Sequence, residues 1–164
     1  MAKITANPTV RAQDDKHLND PTAWFQGAEN IRKGAAELFR SSNPLLWFPA
    51  ALLGHQALEM FLKAALIRQG SKIGRPPVGD TWGHQLMCLG KQLTANGKNR
   101  LPDEFFEVLQ IFDDYFTELR YPRQLRNVAG LGEEEGERLE GAIKYLLPYA
   151  QMPKLSRRAL ANER

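Results

Sequence analysis

The stretch from Pro44 to Ile67, PLLWFPAALLGHQALEMFLKAALI, constrains the fold more than any other. As a helix it is apolar on nearly every side, so it has to be covered by neighbours all round. It is also long enough to span a bilayer. Glu59 and Lys63 near its middle would each cost about 2–3 kcal/mol on membrane-insertion scales, which places the helix at the centre of a bundle and not in a membrane.

The charges are not at the edge of that helix. With Glu59 set at zero on a wheel of about 100° per residue, Phe48, Leu52 and Leu66 fall within about 20° of it, His55 near −40° and Lys63 near +40°. Glu59 therefore sits in the most apolar stripe, where an unpaired carboxylate is costly. His55 and Lys63 are its i−4 and i+4 neighbours and within reach. Two readings stand side by side: a polar cluster that only fixes helix register, or a functional pocket with three titratable groups.

Other helices can be placed around this one. Asp20 and Pro21 in NDPTAWF mark an N-terminus, and the first helix is expected to run to about Ser42, where Asn43-Pro44 breaks it. The second is expected from about Leu45 to Gln69, stopping at Gly70. Gly70 to Gly83, GSKIGRPPVGDTWG, reads as a long loop. A short helix follows from about His84 to Ala95. The fourth opens at Pro102, Asp103 and Glu104, carries Phe105, Val108, Leu109, Phe112, Tyr115, Phe116 and Leu119 on one face, and ends at Tyr121-Pro122. EEEGERLEGAIKYLLPYA, after the loop 123–132, forms a fifth. No window alternates as a strand would. The expected fold is all-α, an antiparallel bundle of four to five helices spanning 21–150. An extended N-terminal arm (1–20) precedes it and a basic C-terminal tail (151–164) follows.

The net charge of +3 neither demands nor excludes a polyanionic partner. The single cysteine, Cys88, lies among Leu86, Met87 and Leu89 and reads as an inert core thiol. One cysteine and an N-terminus without an apolar run point to the cytoplasm. The pairs Trp24-Phe25 and Trp47-Phe48 belong to core packing or to a dimer face. No Walker-type loop is present, and three scattered histidines with one cysteine do not make metal-ligand spacing. No metal and no cofactor is expected.

Two further residues flank the polar helix. GHQL puts His84 at the start of the third helix, and ELRYP puts Arg120 at the C-terminal end of the fourth. The order ALEMFLKAAL, Gly-rich loop, GHQL, then LRYP resembles the HEPN domain family (higher eukaryote and prokaryote nucleotide-binding) over Leu52 to about Pro122. The resemblance implies a helical bundle that acts as a homodimer. Some relatives are metal-independent ribonucleases of toxin–antitoxin and defence systems; others bind nucleotides or accompany a partner such as a nucleotidyltransferase.

The ribonuclease relatives carry Arg-x(4–6)-His late in the bundle, and here no histidine follows His84. RAQDDKH, Arg11 to His17, has that spacing but precedes every helix. The expected function is therefore a nucleotide- or RNA-binding module with a partner protein. In that reading Lys63 and Arg120 hold phosphates, Tyr121 stacks on a base, and His84 donates to an anion at a helix N-terminus. Glu59, beside His55, orients Lys63 or accepts from a base or ribose. The alternatives are a ribonuclease using His84 with Arg120, or a structural protein-interaction bundle.

Overall fold

The computed structural model describes residues 18–71, 84–95, 99–119 and 131–151. Among them are five α-helices and no strand: α1 (Pro21–Phe39), α2 (Trp47–Arg68), α3 (Leu86–Thr94), α4 (Asp103–Leu119) and α5 (Glu133–Ala150). The all-α architecture read from the sequence is the observed one. Apart from residues 18–20 and Gln151, the expected arm and tail lie outside the described residues.

Local signals set most of the boundaries. The Asp20 carboxylate accepts from the Thr22 N–H at 2.9 Å, with Pro21 in the first helical position. Helix α1 stops at Phe39, about a turn before the expected Ser42. Asn43 explains the early stop: it caps the next element, taking the Leu45 N–H at 3.1 Å to open a 3₁₀ turn over Pro44–Leu46. Helix α2 thus begins at Trp47. At its far end Gly70 has φ of +90°, while Gly70 N–H bonds Ile67 O at 2.9 Å and Ser71 N–H bonds Leu66 O at 3.1 Å. This paired closure needs a left-handed residue, which glycine adopts at no steric cost.

Helix α2 packs against all four other helices. Its buried residues accordingly occupy every side, among them Ala51, Leu58, Phe61, Leu62, Ala65 and Leu66. Close approach is possible where a side chain is missing. A Cβ on Gly54 would lie 2.5 Å from Phe112 Cε1, so α4 rests almost on the α2 backbone there. By length and composition Pro44–Arg68 could cross a membrane, and 72% of its apolar window is buried inside the protein. The expected apolar face of α4 supplies Phe105, Leu109 and Phe112 to the core, with Val108, Tyr115 and Leu119 packed partly buried against it. Trp24, Phe25, Trp47 and Phe48 are likewise partly buried against the core. Arg32 ties α1 to α5 through Glu140 at 2.7 Å.

Two expectations change at α3. The helix begins at Leu86, so His84 precedes it, with Gln85 extended at φ −84° and ψ 104°. Cys88 is only partly buried, and its thiol donates to Gln85 Oε1 at 3.1 Å. The inward face of α3 is Leu86, Leu89, Gly90 and Leu93, a three-to-four spacing that leaves position 88 to one side.

Candidate functional site

Glu59 is only 7% exposed, as its place on the apolar stripe of α2 requires. Its two carboxylate oxygens face different donors. Oε1 accepts from the Lys63 ammonium one turn along, and Oε2 lies 3.1 Å from His84 Nδ1. Lys63 is as buried as Glu59, and its Nζ stands 5.0 Å from the centroid of the Trp24 ring. A buried charge is thus surrounded by an anion and an aromatic face instead of water. Since a carboxylate only accepts, His84 Nδ1 carries the proton toward Glu59, and Nε2 is the ring nitrogen left for other partners. The His84 side chain is 60% exposed although its anchor is buried.

His55 does not pair with Glu59, its expected neighbour. It is wholly buried and turns toward α4, where its Nε2 lies 3.2 Å from Asp113 Oδ1. The ring stacks on Phe116 with centroids 4.0 Å apart and planes 10° from parallel. Its Nδ1 has no hydrogen-bond partner among the described residues. Phe116 also meets the His84 ring, at 5.7 Å, so one phenyl group separates the two imidazoles.

Asp113 was not singled out by the sequence, yet it organises this end of the bundle. Its carboxylate accepts the Leu86 N–H at 2.9 Å and the Met87 N–H at 3.0 Å, besides facing His55. No side chain of α3 itself caps that helix; the cap comes from α4. At the helix N-terminus where His84 was expected to donate to an anion, the first N–H groups of α3 are therefore engaged by a protein carboxylate. A signal was available: Asp113 lies four residues after Leu109 and three before Phe116, on the inward side of α4.

An open cleft of about 450 Å³ lies over this cluster, edged by His84, Gln85, Gln110, Asp113, Asp114 and Thr117. Gln110, Asp114 and Thr117 stand at i, i+4 and i+7 of α4, one face of the helix. The structure thus brings Glu59, Lys63 and His84 together and places His55 behind them. Arg120 and Tyr121 lie outside the described residues. Among the described residues no three His, Cys, Asp or Glu side chains gather as a metal site would need.

The HEPN domain family matches residues 22–149, from the first turn of α1 to the last of α5. The chain belongs to the HEPN family. Comparisons with curated proteins and with solved structures gave no match. In this HEPN domain, two of the sequence motifs that carried the resemblance, E-x-x-x-K on α2 and, through His84, G-H-x-L, meet at the Glu59 carboxylate.

Proposed function

We propose that this HEPN domain binds a nucleotide or an unpaired stretch of RNA at the cleft beside His84, as a cytoplasmic homodimer working with a partner protein such as a nucleotidyltransferase or an antitoxin. One observation carries the ligand-binding part: a single buried carboxylate holds both Lys63 and the largely exposed His84. A register device would be complete with Glu59 and Lys63 alone. Restraining a solvent-facing imidazole as well gains little stability, because exposed pairs contribute about 0–1 kcal/mol. Fixing that ring makes sense where a ligand meets it. Arg120 and Tyr121, next in sequence after α4, complete the proposal as a phosphate contact and a stacking ring. The homodimer and the partner protein rest on the family.

Calorimetric titration with ATP, GTP and a short single-stranded RNA tests this. Binding to the wild type, weakened at least tenfold by His84→Ala, is the expected result. Absence of heat from every ligand, or equal affinity in the variant, would refute it.

A second reading has its own observation. An imidazole held through Nδ1 by a carboxylate, with Nε2 turned away, is the arrangement that general acid–base chemistry uses. On that reading His84, with Arg120, cuts RNA without a metal. Incubating labelled RNA with the protein in EDTA decides it: cleavage that His84→Ala abolishes supports the ribonuclease, and intact RNA excludes it.

A further inference from the structure

We infer that the cleft beside His84 seats a nucleobase by an edge carrying adjacent hydrogen-bond donors, and that it prefers guanine. This rests on the nucleotide-binding proposal and adds to it which base enters and which residues choose it.

The hydrogen bonds already made around the cleft determine what remains for a ligand. Asp113 is engaged by His55 and by the Leu86 and Met87 N–H groups. Gln110 Nε2 donates to Asp114 Oδ1 at 2.8 Å, which fixes the two side chains against each other. That bond leaves Asp114 Oδ2 and Gln110 Oε1 as acceptors on the same face of α4. Thr117 donates its hydroxyl proton to the Asp113 carbonyl at 3.0 Å and so offers lone pairs. The wall formed by α4 is consequently rich in acceptors, one of them charged.

The opposite edge has a different polarity. Gln85 Oε1 receives the Cys88 thiol, so its amide NH₂ is what Gln85 offers. His84 Nε2, the ring nitrogen that Glu59 does not use, is an acceptor while Nδ1 carries the proton, so the donor on this edge is the Gln85 amide. A ligand matched to both edges presents neighbouring donors to α4 and an acceptor group to the Gln85 amide.

Among the bases, guanine has that pattern: N1–H and the N2 amino group lie side by side, with O6 beyond them. Adenine and cytosine each offer one amino group beside an acceptor, and uracil offers a single N–H. A hydrogen bond to a charged acceptor discriminates by more than a neutral one. Since the edge concerned pairs inside a duplex, the ligand is a free nucleotide or an unpaired residue. The cleft volume is of the size that small-molecule sites have, roughly 300–1,000 Å³.

The test is a titration of the full chain with GMP, IMP, AMP, CMP and UMP, repeated for Asp114→Ala and Gln110→Ala. Both side chains are exposed on α4, so the variants fold. GMP should bind about tenfold tighter than AMP, with IMP, which lacks the N2 amino group, in between. Asp114→Ala should bring GMP down to the level of AMP. Equal affinity for all five would overturn the guanine preference while the nucleotide-binding proposal stood. Tighter binding of AMP, CMP or UMP would overturn it as well. If none of the five bound, this inference would fall, while the titrations with ATP, GTP and short RNA would still decide the proposal under it.

Discussion

Glu59 and His84 are 25 positions apart in the chain, and their Oε2 and Nδ1 atoms stand 3.1 Å apart, one residue buried and the other largely in solvent. The contact joins the interior of the central helix to the rim of the cleft. It also divides the site into a part that the fold depends on and a part that it does not.

The buried part is the Glu59–Lys63 pair. Glu59→Leu leaves an ammonium in the core without its anion, and that loss should cost about 3–5 kcal/mol. Replacing both residues, as in Glu59→Leu with Lys63→Met, should bring stability back to within about 1–2 kcal/mol of the wild type, because apolar residues of similar volume pack well in such places. Urea denaturation of the two singles and the double gives the comparison. If the double variant were as unstable as the sum of the singles, the pair would not be coupled as described.

The exposed part is His84. His84→Ala should change unfolding free energy by no more than about 0.5 kcal/mol, since the side chain is mostly solvated and its pair with Glu59 is screened. Thermal melts of the variant settle this, and a near-native melting temperature would make any binding defect a property of the site and not of the scaffold.

The residues that were legible in the sequence and those that were not differ in a physical way. Glu59 could be found because helical periodicity alone puts it among Phe48, Leu52 and Leu66, and its burial follows from local geometry. The pairing of Lys63 is legible for the same reason, being one turn away. His55 has the same spacing on the other side and yet faces Asp113, because side-chain direction depends on which helix packs there. The role of Asp113 as a cap for α3 depends on contacts about 26 positions apart in the chain, which periodicity cannot supply. The early end of α1 was readable in principle from Asn43, which serves the 3₁₀ turn instead of prolonging the helix.

Asp113→Ala should loosen α3 selectively. The substitution removes acceptors from two helix-terminal N–H groups and from the buried His55 ring, at a cost of about 2 kcal/mol or more. Amide hydrogen exchange should accelerate at Leu86 and Met87, while amides in the middle of α2 keep more of their protection. Uniform acceleration across all helices would mean that Asp113 supports the whole bundle equally.

Alkaline pH should weaken the fold through Tyr115. Burial pushes its phenol above the ordinary 10.0, and the carboxylates of Glu135, Glu118 and Glu134 push the same way against a smaller opposing effect of Arg138. A group with a raised folded value holds its proton more tightly when folded. Its contribution is therefore complete below pH 10 and lost as pH rises through the raised value. Melting temperatures measured on either side of pH 10 should fall less steeply for Tyr115→Phe than for the wild type. Parallel curves would sink the assignment.

Two glycines in helices should respond oppositely to alanine. At Gly54 the new Cβ would meet Phe112 Cε1 at 2.5 Å and Leu139 Cδ2 at 3.2 Å, both in the core. Interior ring atoms have little room to retreat, so Gly54→Ala should destabilise by about 1–3 kcal/mol despite the better helix propensity of alanine. At Gly141, within α5, nothing lies within 4 Å of the Cβ position. There propensity acts alone, and Gly141→Ala should stabilise by about 1 kcal/mol. Denaturant midpoints of the two variants read the sign directly. A stabilising Gly54→Ala would show that α4 is not seated against the α2 backbone, and the geometry around Phe112, Asp113 and the cleft above them would have to be redrawn.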